Sequence, residues 1–238
     1  LIDFGYKGEI YPINPKADEI HGLKAYKSIL EVAGPVDVAH MVIPAKFVPM
    51  AFEDCGKKGV KHVIINSGGF SEVGEAGAAI EAAFMDVARK YNMRVFGPNC
   101  QGIINSDPAA RAYCNFTFTF PDVGHISIVA LSGVVAEVIH HGFDAMGVGT
   151  RIYASNGNAC DITIPEIMRY LGEDGGTRVI VTYVEGLRDA KTFMEVARDV
   201  AAKKPVLAMK AGRTAEGAKA ASSHTGGLAK QDLATDCI

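Results

Sequence analysis

The stretch KHVIINSGGF, residues 61–70, is the clearest indication of the fold. Its first six residues form a short, mostly apolar and β-branched run, which is typical of a buried strand, and a Ser-Gly-Gly turn follows at once. On either side lie longer segments, 45–58 and 76–91, whose apolar residues recur at helical spacing, as at Ile80, Phe84 and Val87. Strands that alternate with helices predict β-α-β units with right-handed crossovers, and therefore a parallel sheet.

The same alternation continues along the rest of the chain. Further strands are predicted in the first half at 9–13, 36–43 and 93–96. The pattern restarts after Phe120-Pro121-Asp122, with strands at 125–131, 151–155, 179–184 and 205–210 and helices at 133–145, 165–171 and 190–202. The chain is therefore predicted to be of the α/β class, with a first domain at 1–121 and a second, doubly wound domain at 122–238.

An unusual turn follows each predicted strand of the first half. The turns are Asn14-Pro15-Lys16, Pro44-Ala45, Ser67-Gly68-Gly69-Phe70 and Gly97-Pro98-Asn99-Cys100-Gln101-Gly102. An open parallel sheet binds its ligand at the carboxyl ends of its strands, so these turns predict a binding edge, although glycine and proline are also ordinary turn residues. The positions predicted to contact the ligand are Lys16, Pro44, Asn66, Ser67, Gly68, Pro98, Asn99 and Cys100.

Lys16 bears on the identity of that ligand. A dinucleotide-binding fold would place an acidic residue near the end of the corresponding strand, to hold the ribose hydroxyls. The lysine found there suits a terminal phosphate, as in coenzyme A or NADP. The alternative is a solvated surface lysine.

In the second half, special residues again follow the strands. Ser132-Gly133 opens a predicted helix, whose free N–H groups and positive dipole end suit a phosphoryl group. Glu185 closes a predicted strand and offers a carboxylate that can orient an imidazole. A surface carboxylate paired with Arg188 is the alternative for Glu185.

The candidate imidazole is His224, in the polar loop AGRTAEGAKAASSHTGGLA at 211–229. Neutral imidazole is a nucleophile near neutral pH, and the small residues around it, Gly226 among them, permit close approach to a phosphate. A solvated loop histidine before a capped helix is the alternative. The edge rule brings four residues to one end of one sheet: Ser132, Asn158, Glu185 and His224.

Composition narrows the class of protein. A net charge of −3 over 238 residues gives no reason to expect nucleic acid or an anionic membrane as a partner. The five cysteines lack metal-type spacing and indicate free thiols in a reducing cytoplasm, and no metal site is predicted. No apolar run reaches membrane-spanning length. The first residue is not Met, and we expect a piece of a longer polypeptide.

Seven motifs together resemble the α part of ADP-forming acyl-CoA synthetases of the acetate–CoA ligase type, relatives of the succinyl-CoA synthetase α subunit. They are YPINP (11–15), SGGFSEVGEAG (67–77), GPNCQG (97–102), SNGNACD (155–161), YVEGLRD (183–189), KPVLAMKAGRT (204–214) and SSHTGGLA (222–229). They cover nearly the whole chain in family order. The resemblance implies a Rossmann-type CoA-binding domain followed by a flavodoxin-like ligase domain.

The resemblance also implies roles for particular residues. His224 matches the phosphorylated histidine, Glu185 its carboxylate partner, and Ser132 and Gly133 the helix start that receives phosphate, with Gly226 assigned to the same site. The strand-end loops of the first half match CoA contacts. The implied reaction interconverts acyl-CoA, phosphate and ADP with a small carboxylic acid, CoA and ATP. An ATP-grasp β domain or subunit, absent from this sequence, is implied as the partner that binds ATP or ADP with Mg, and an oligomer is expected.

One departure from the family pattern concerns the phosphate site. The family usually has Ser-Gln-Ser-Gly where this chain has Ala130-Leu131-Ser132-Gly133, so two polar side chains are lost. Two other functions stay open on the residues alone. A CoA-binding regulatory region, such as that attached to some protein acetyltransferases, would lack the ligase chemistry, and His224 argues against it. An NADP oxidoreductase would need a nicotinamide site that the second half does not suggest.

Overall fold

The computed structural model describes residues 1–186 and 189–211, so the predicted site residues His224 and Gly226 lie outside the described part. In chain order its strands are β1 (Glu19–Ile20), β2 (Leu23–Lys24), β3 (Val38–Met41), β4 (His62–Ile65), β5 (Arg94–Phe96), β6 (Gly102–Asn105), β7 (Ala112–Asn115), β8 (Ile126–Ala130), β9 (Thr150–Ser155), β10 (Val179–Val184) and β11 (Val206–Lys210). Its α-helices are α1 (Val48–Lys58), α2 (Glu75–Tyr91), α3 (Gly133–Ala145), α4 (Ile164–Glu173) and α5 (Ala190–Ala201). Short 3-10 helices lie at Ile29–Glu31, Ala45–Phe47 and Ser71–Val73.

The first sheet is parallel, with its strands in the order β3-β4-β5. Helices α1 and α2 pack on it through apolar residues at helical spacing, and the rings of Phe52 and Phe84 lie 4.9 Å apart. Each helix ends at a residue with left-handed backbone, Gly59 (φ 88°) and Asn92 (φ 54°). These features are local, and the predicted helices 45–58 and 76–91 are confirmed to within a few residues.

The second sheet has six strands in the order β11-β10-β8-β9-β6-β7, of which β8 to β11 are parallel. Alternate residues of β8 face opposite sides: Ile128 packs in a cluster with α3, and Val129 packs in a cluster with α4 and α5. The sheet is therefore covered on both faces and is doubly wound. The chain reverses its direction of winding between β8 and β10, which makes their carboxyl ends the topological switch point.

The changeover between the sheets differs from the prediction. β6 pairs antiparallel with both β7 and β9, so residues 102–115 belong to the second sheet although they precede the predicted boundary at 121/122. The reason is physical: β9 is the edge of the parallel part, and an added strand satisfies its free backbone groups. The division of the chain into domains at 1–121 and 122–238 stays a prediction.

The strand predicted at 9–13 is wrong. Within the described part of the chain, Ile13 alone of these residues makes a bridge, to Tyr26, and the short hairpin of β1 and β2 follows. Pro12 lacks an amide hydrogen, and a strand needs a neighbour with which it pairs over several residues. None of the helices in the described part of the chain is long and apolar enough to cross a membrane.

Candidate functional site

A cleft of about 920 Å³ lies at the switch point of the second sheet. Leu131 and Ser132, which follow β8, line it together with Glu185 and Gly186, which follow β10. Asn66 and Asn99, from the carboxyl end of the first sheet, line the same cleft. The two predicted binding edges therefore face one cavity.

Three helices begin at this cleft, and their N-termini differ in charge. Glu166 lies in the first turn of α4, where its Oε2 accepts a hydrogen bond from the Thr163 amide (3.1 Å). Asp189 caps α5, and its Oδ1 accepts from the Thr192 amide (3.0 Å). Helix α3 has a neutral cap, Ser132, and no acidic residue in its first turn. Its N-terminus is therefore the one best suited to an added anion.

Gly133, the first residue of α3, packs closely against Gln101. A Cβ at this position would lie 3.0 Å from Cβ and 3.1 Å from Oε1 of Gln101, tighter than ordinary contact. Ser132, the predicted phosphate-binding partner, is buried, and its Oγ accepts a long hydrogen bond (3.4 Å) from the Val135 amide. The Ser-Gly pair thus lets the start of α3 approach the neighbouring loop, and Ser132, Gly133 and Val134 line the cleft.

Glu185 is buried, with 5% of its surface exposed, at the end of β10. It interacts with Tyr183: burial first, and then the charge and hydrogen bond of Glu185, raise the pKa of that phenol. This burial contradicts the surface position that the alternative assumed, and it does not test the pairing with Arg188. Arg188 and His224 lie outside the described residues, so the role of Glu185 towards the imidazole stays a prediction.

The predicted ligand contacts of the first half divide into two groups. Asn66, Asn99 and Cys100 line the cleft. Lys16, Pro44, Ser67, Gly68 and Pro98 do not line it. Pro44, Ser67, Gly68 and Pro98 lie in the loops that follow β3, β4 and β5, whereas Lys16 is exposed on the turn near the single bridge of Ile13. Contact of these residues with CoA stays a prediction.

Asn66 and Cys100 hold the loops of the site together. The Asn66 side-chain amide donates to the carbonyls of Cys100 (3.0 Å) and Gln101 (2.8 Å), and its Oδ1 is hydrogen-bonded to His40. The Cys100 thiol donates to the Ile65 carbonyl (3.1 Å), and burial raises the pKa of this thiol well above its ordinary value. Both side chains are engaged within the protein, and the raised pKa disfavours the thiolate form of Cys100.

A buried hydrogen-bonded chain beneath α3 was not predicted. The Gln101 amide donates to Oε2 of Glu137 (2.9 Å), and the Tyr153 hydroxyl donates to Oε1 of Gln101. All three residues are buried. Burial, and then the charge of Glu137, raise the pKa of Tyr153 far above its ordinary value, so its hydroxyl remains a donor. The signal available in the sequence was a glutamate on the apolar side of a predicted helix.

Asn158 joins the loop after β9 to the first sheet. Its side-chain amide donates to Glu72 (2.6 Å), and contacts Ser71 (3.2 Å) and Glu81 (3.3 Å). Burial alone would raise the pKa of Glu72, but hydrogen bonds from Asn158 and from backbone amides outweigh it and lower that pKa. The wall of the cleft is therefore ordered by charged hydrogen bonds.

Among residues 1–186 and 189–211, no group of three or more His, Cys, Asp or Glu could hold a metal ion.

Comparison with known proteins agrees with this architecture. Residues 1–106 match the family model of a CoA binding domain, and residues 123–238 match that of a succinyl-CoA ligase like flavodoxin domain. The chain is 44% identical over 228 residues to the ADP-forming acetate–CoA ligase of Methanocaldococcus jannaschii, covering 96% of this chain and 32% of the relative. It is 43% identical over 238 residues to the ADP-forming acetate–CoA ligase I subunit alpha of Pyrococcus furiosus, covering 98% of this chain and 51% of the relative.

Among solved structures, the chain is similar to the dinucleotide forming acetyl-coenzyme A synthetase 1 of Ca. Korarchaeum cryptofilum in complex with phosphate and ADP. The TM-score is 0.85 at 34% identity, and the match covers 97% of this chain and 49% of that one. The chain thus spans about a third to a half of the length of these relatives. The predicted fold class is confirmed. With a CoA binding domain followed by a succinyl-CoA ligase like flavodoxin domain, the chain belongs to the ADP-forming acyl-CoA synthetase family and corresponds to its α part.

Proposed function

We propose that the chain is the α part of an enzyme that interconverts acyl-CoA, phosphate and ADP with a carboxylic acid, CoA and ATP. The observation that carries the proposal is the cleft itself. It joins the acid-free N-terminus of α3 to the buried carboxylate of Glu185, and it reaches the carboxyl end of the CoA binding domain. Phosphate, a thioester and a nucleophilic imidazole are the groups that such a cleft would bring together.

In the first step, an oxygen of phosphate held by the amides at the start of α3 attacks the thioester carbon. The carbon–sulfur bond breaks, CoA leaves as a thiolate that takes up a proton, and an acyl phosphate forms. The helix N-terminus favours the dianionic phosphate through unpaired N–H groups and the helix dipole. Asn99 and Asn158 line the cleft and are hydrogen-bonded to each other (3.3 Å).

In the second step, the imidazole of His224 attacks phosphorus, the carboxylate leaves, and phosphohistidine remains. Glu185 would accept a hydrogen bond from the other ring nitrogen, fix the tautomer and stabilise the positive charge that develops on the ring. Its burial strengthens that interaction, because the low dielectric of the site screens charge less than water does.

In the third step, phosphohistidine would transfer its phosphoryl group to ADP. We infer that an ATP-grasp domain or subunit binds ADP with Mg, in the part of the relatives that this chain does not span. The ion would neutralise charge on the nucleotide phosphates.

The oligomeric enzyme would act on a small carboxylic acid in the cytoplasm, where thiols such as Cys55 and Cys100 stay reduced.

The test is phosphate transfer to His224. The full-length enzyme, with its ATP-grasp partner, is incubated with acetyl-CoA and radiolabelled phosphate, and the peptide that contains His224 is examined by mass spectrometry. We expect an acid-labile, base-stable adduct that is lost in His224→Asn and kept in the matched variant Ser223→Ala. Label found only on serine would overturn the proposal, since phosphoserine survives acid.

A further inference from the structure

An apolar surface borders the cleft beside the start of α3. Four of its side chains are strongly exposed for their type: Phe116 (61%), Phe118 (91%), Val134 (64%) and Val138 (67%). All four line the cleft, and so does Leu131. Contiguous exposed apolar residues at the mouth of a cavity indicate a binding surface, because water contact disfavours such a patch.

The backbone of the phenylalanine segment, residues 116–120, is fixed to α3 while its rings remain exposed. Oε1 of Glu137 accepts a hydrogen bond from the Phe118 amide (3.2 Å). One turn further along α3, the buried ring of His140 is hydrogen-bonded to the Thr119 hydroxyl (3.1 Å). Val134, Glu137 and Val138 are neighbours on the surface of α3, and Phe118 lines the same cleft as all three.

The proposed reaction restricts what can occupy this surface, and the present inference rests on it. Acyl phosphate forms only when the thioester carbon comes within about 3–3.5 Å of a phosphate oxygen. With phosphate on the first turn of α3, the acyl substituent must lie against residues of the first two turns. The residues of these two turns that line the cleft are Gly133, Val134, Glu137 and Val138, and Phe118 lines it as well.

We propose that this surface is the acyl subsite and that Phe118 and Val138 are specificity-determining residues for apolar acyl groups larger than acetyl. Charge supports the same selection. The described lining contains four carboxylates, Glu72, Glu137, Glu185 and Asp189, and no Lys, Arg or His among residues 1–186 and 189–211. A carboxylate at the far end of the acyl group would lie among like charges, which disfavours its binding.

The first experiment measures binding of acyl-CoA thioesters to the full-length enzyme by calorimetry. The probes are CoA, acetyl-CoA, isobutyryl-CoA and succinyl-CoA. We expect isobutyryl-CoA to bind about 3- to 10-fold more tightly than acetyl-CoA, as one or two partly buried methyl groups would give, and succinyl-CoA to bind more weakly than either. Equal affinity for the three thioesters would overturn the inference while leaving the proposed function standing. Failure to bind CoA itself would refute the proposed function and the subsite with it.

The second experiment uses two variants of the proposed subsite, each with a control variant that carries the same kind of substitution outside the cleft. Val138→Thr keeps the shape of the side chain but introduces a hydroxyl, and should abolish most of the preference for isobutyryl-CoA, whereas the exposed Val123→Thr outside the cleft should leave it unchanged. Phe118→Ala should reduce the same preference several-fold, with Tyr170→Ala, an exposed ring on α4 outside the cleft, as its control. If the variants instead weaken association with the ATP-grasp partner and leave the acyl preference intact, the surface is a protein interface and the inference is wrong.

Discussion

Replacing Gly133 by alanine is expected to destabilise the fold and to slow phosphorylation of His224, because the added methyl group would meet a side chain that cannot easily move. The Cβ would lie 3.0 Å from Cβ and 3.1 Å from Oε1 of Gln101. Both polar atoms of the Gln101 side-chain amide are hydrogen-bonded. Its Nε2 donates to Glu137 (2.9 Å), and its Oε1 accepts from the hydroxyl of Tyr153. Relief requires either that Gln101 leaves these buried partners or that the start of α3 shifts by a few tenths of an ångström.

The magnitude follows from these two routes. Leaving a buried hydrogen-bonding group without its partner costs about 1–3 kcal/mol, and overpacking a close contact costs a similar amount. Alanine is a better helix former than glycine by up to about 1 kcal/mol, which offsets part of the loss. We expect the free energy of unfolding of Gly133→Ala to fall by about 1–2 kcal/mol. A shift of the first turn would also move the amides proposed to hold phosphate, and we expect it to slow phosphohistidine formation by at least about tenfold.

Gly142, on the same helix, provides the matched control. A Cβ there would meet nothing within 4 Å, so Gly142→Ala should raise the free energy of unfolding by about 0.5–1 kcal/mol and leave phosphorylation unchanged. Urea unfolding followed by circular dichroism gives the first quantity, and quenched-flow phosphorylation gives the second. If Gly133→Ala matches Gly142→Ala in both measurements, the start of α3 does not require close packing against Gln101, and this account of the phosphate site is refuted.

Three further predictions concern charge. Glu185→Gln should slow phosphohistidine formation by about 10²–10⁴-fold with CoA affinity nearly unchanged, while the exposed Glu195→Gln should behave as the parent; equal rates in both would reduce Glu185 to a structural carboxylate. Hydrogen bonding to Arg151 lowers the pKa of Asp174, so its stabilising contribution is full above the unfolded pKa of about 4 and is lost as pH falls through the lower folded value; Asp174→Asn should flatten the acid side of the stability profile. If Lys16 contacts the terminal phosphate of CoA, CoA should bind about 5- to 100-fold more tightly than dephospho-CoA, and Lys16→Ala should remove that difference in calorimetry.

The parts of the fold that follow from local chemistry could be predicted from the sequence. Helix α3 begins and ends where the pattern places it, at 133–145, because a serine cap precedes an unbroken amphipathic run. β10 likewise spans 179–184, since its β-branched run is bounded by a glycine-rich turn and Glu185. The edge rule then placed Ser132 and Glu185 at one end of one sheet without any knowledge of side-chain geometry.

The parts that depend on distant partners could not be predicted. β6 is only four residues long, and it pairs antiparallel with β9, which lies roughly fifty residues later in the chain. No local pattern indicates this pairing. The buried chain from Tyr153 through Gln101 to Glu137 joins three separate segments, and a polar residue reads as exposed until its partners are known. The prediction of a strand at 9–13 was wrong because a local pattern cannot show whether a partner strand exists. In the described part of the chain, these residues make a single bridge, from Ile13 to Tyr26.

The unpredicted crossing of the chain between the sheets has a consequence for the chemistry. Gly157 has a positive φ of 54°, and a Cβ on it would lie 2.1 Å from the carbonyl oxygen of Asn99 and 2.3 Å from that of Pro98. The loop after β9 therefore lies directly on the loop after β5. The backbone amide of Asn158 also donates to the Pro98 carbonyl (2.9 Å). Gln101, at the end of that same loop, packs against the first residue of α3. The loop of the CoA binding domain and the helix proposed to hold phosphate are thus parts of one packed unit. The proposed acyl transfer from sulfur to phosphate needs the two reactants held within about 3–3.5 Å, and we expect this junction to hold the two proposed binding elements at a set separation before either reactant arrives.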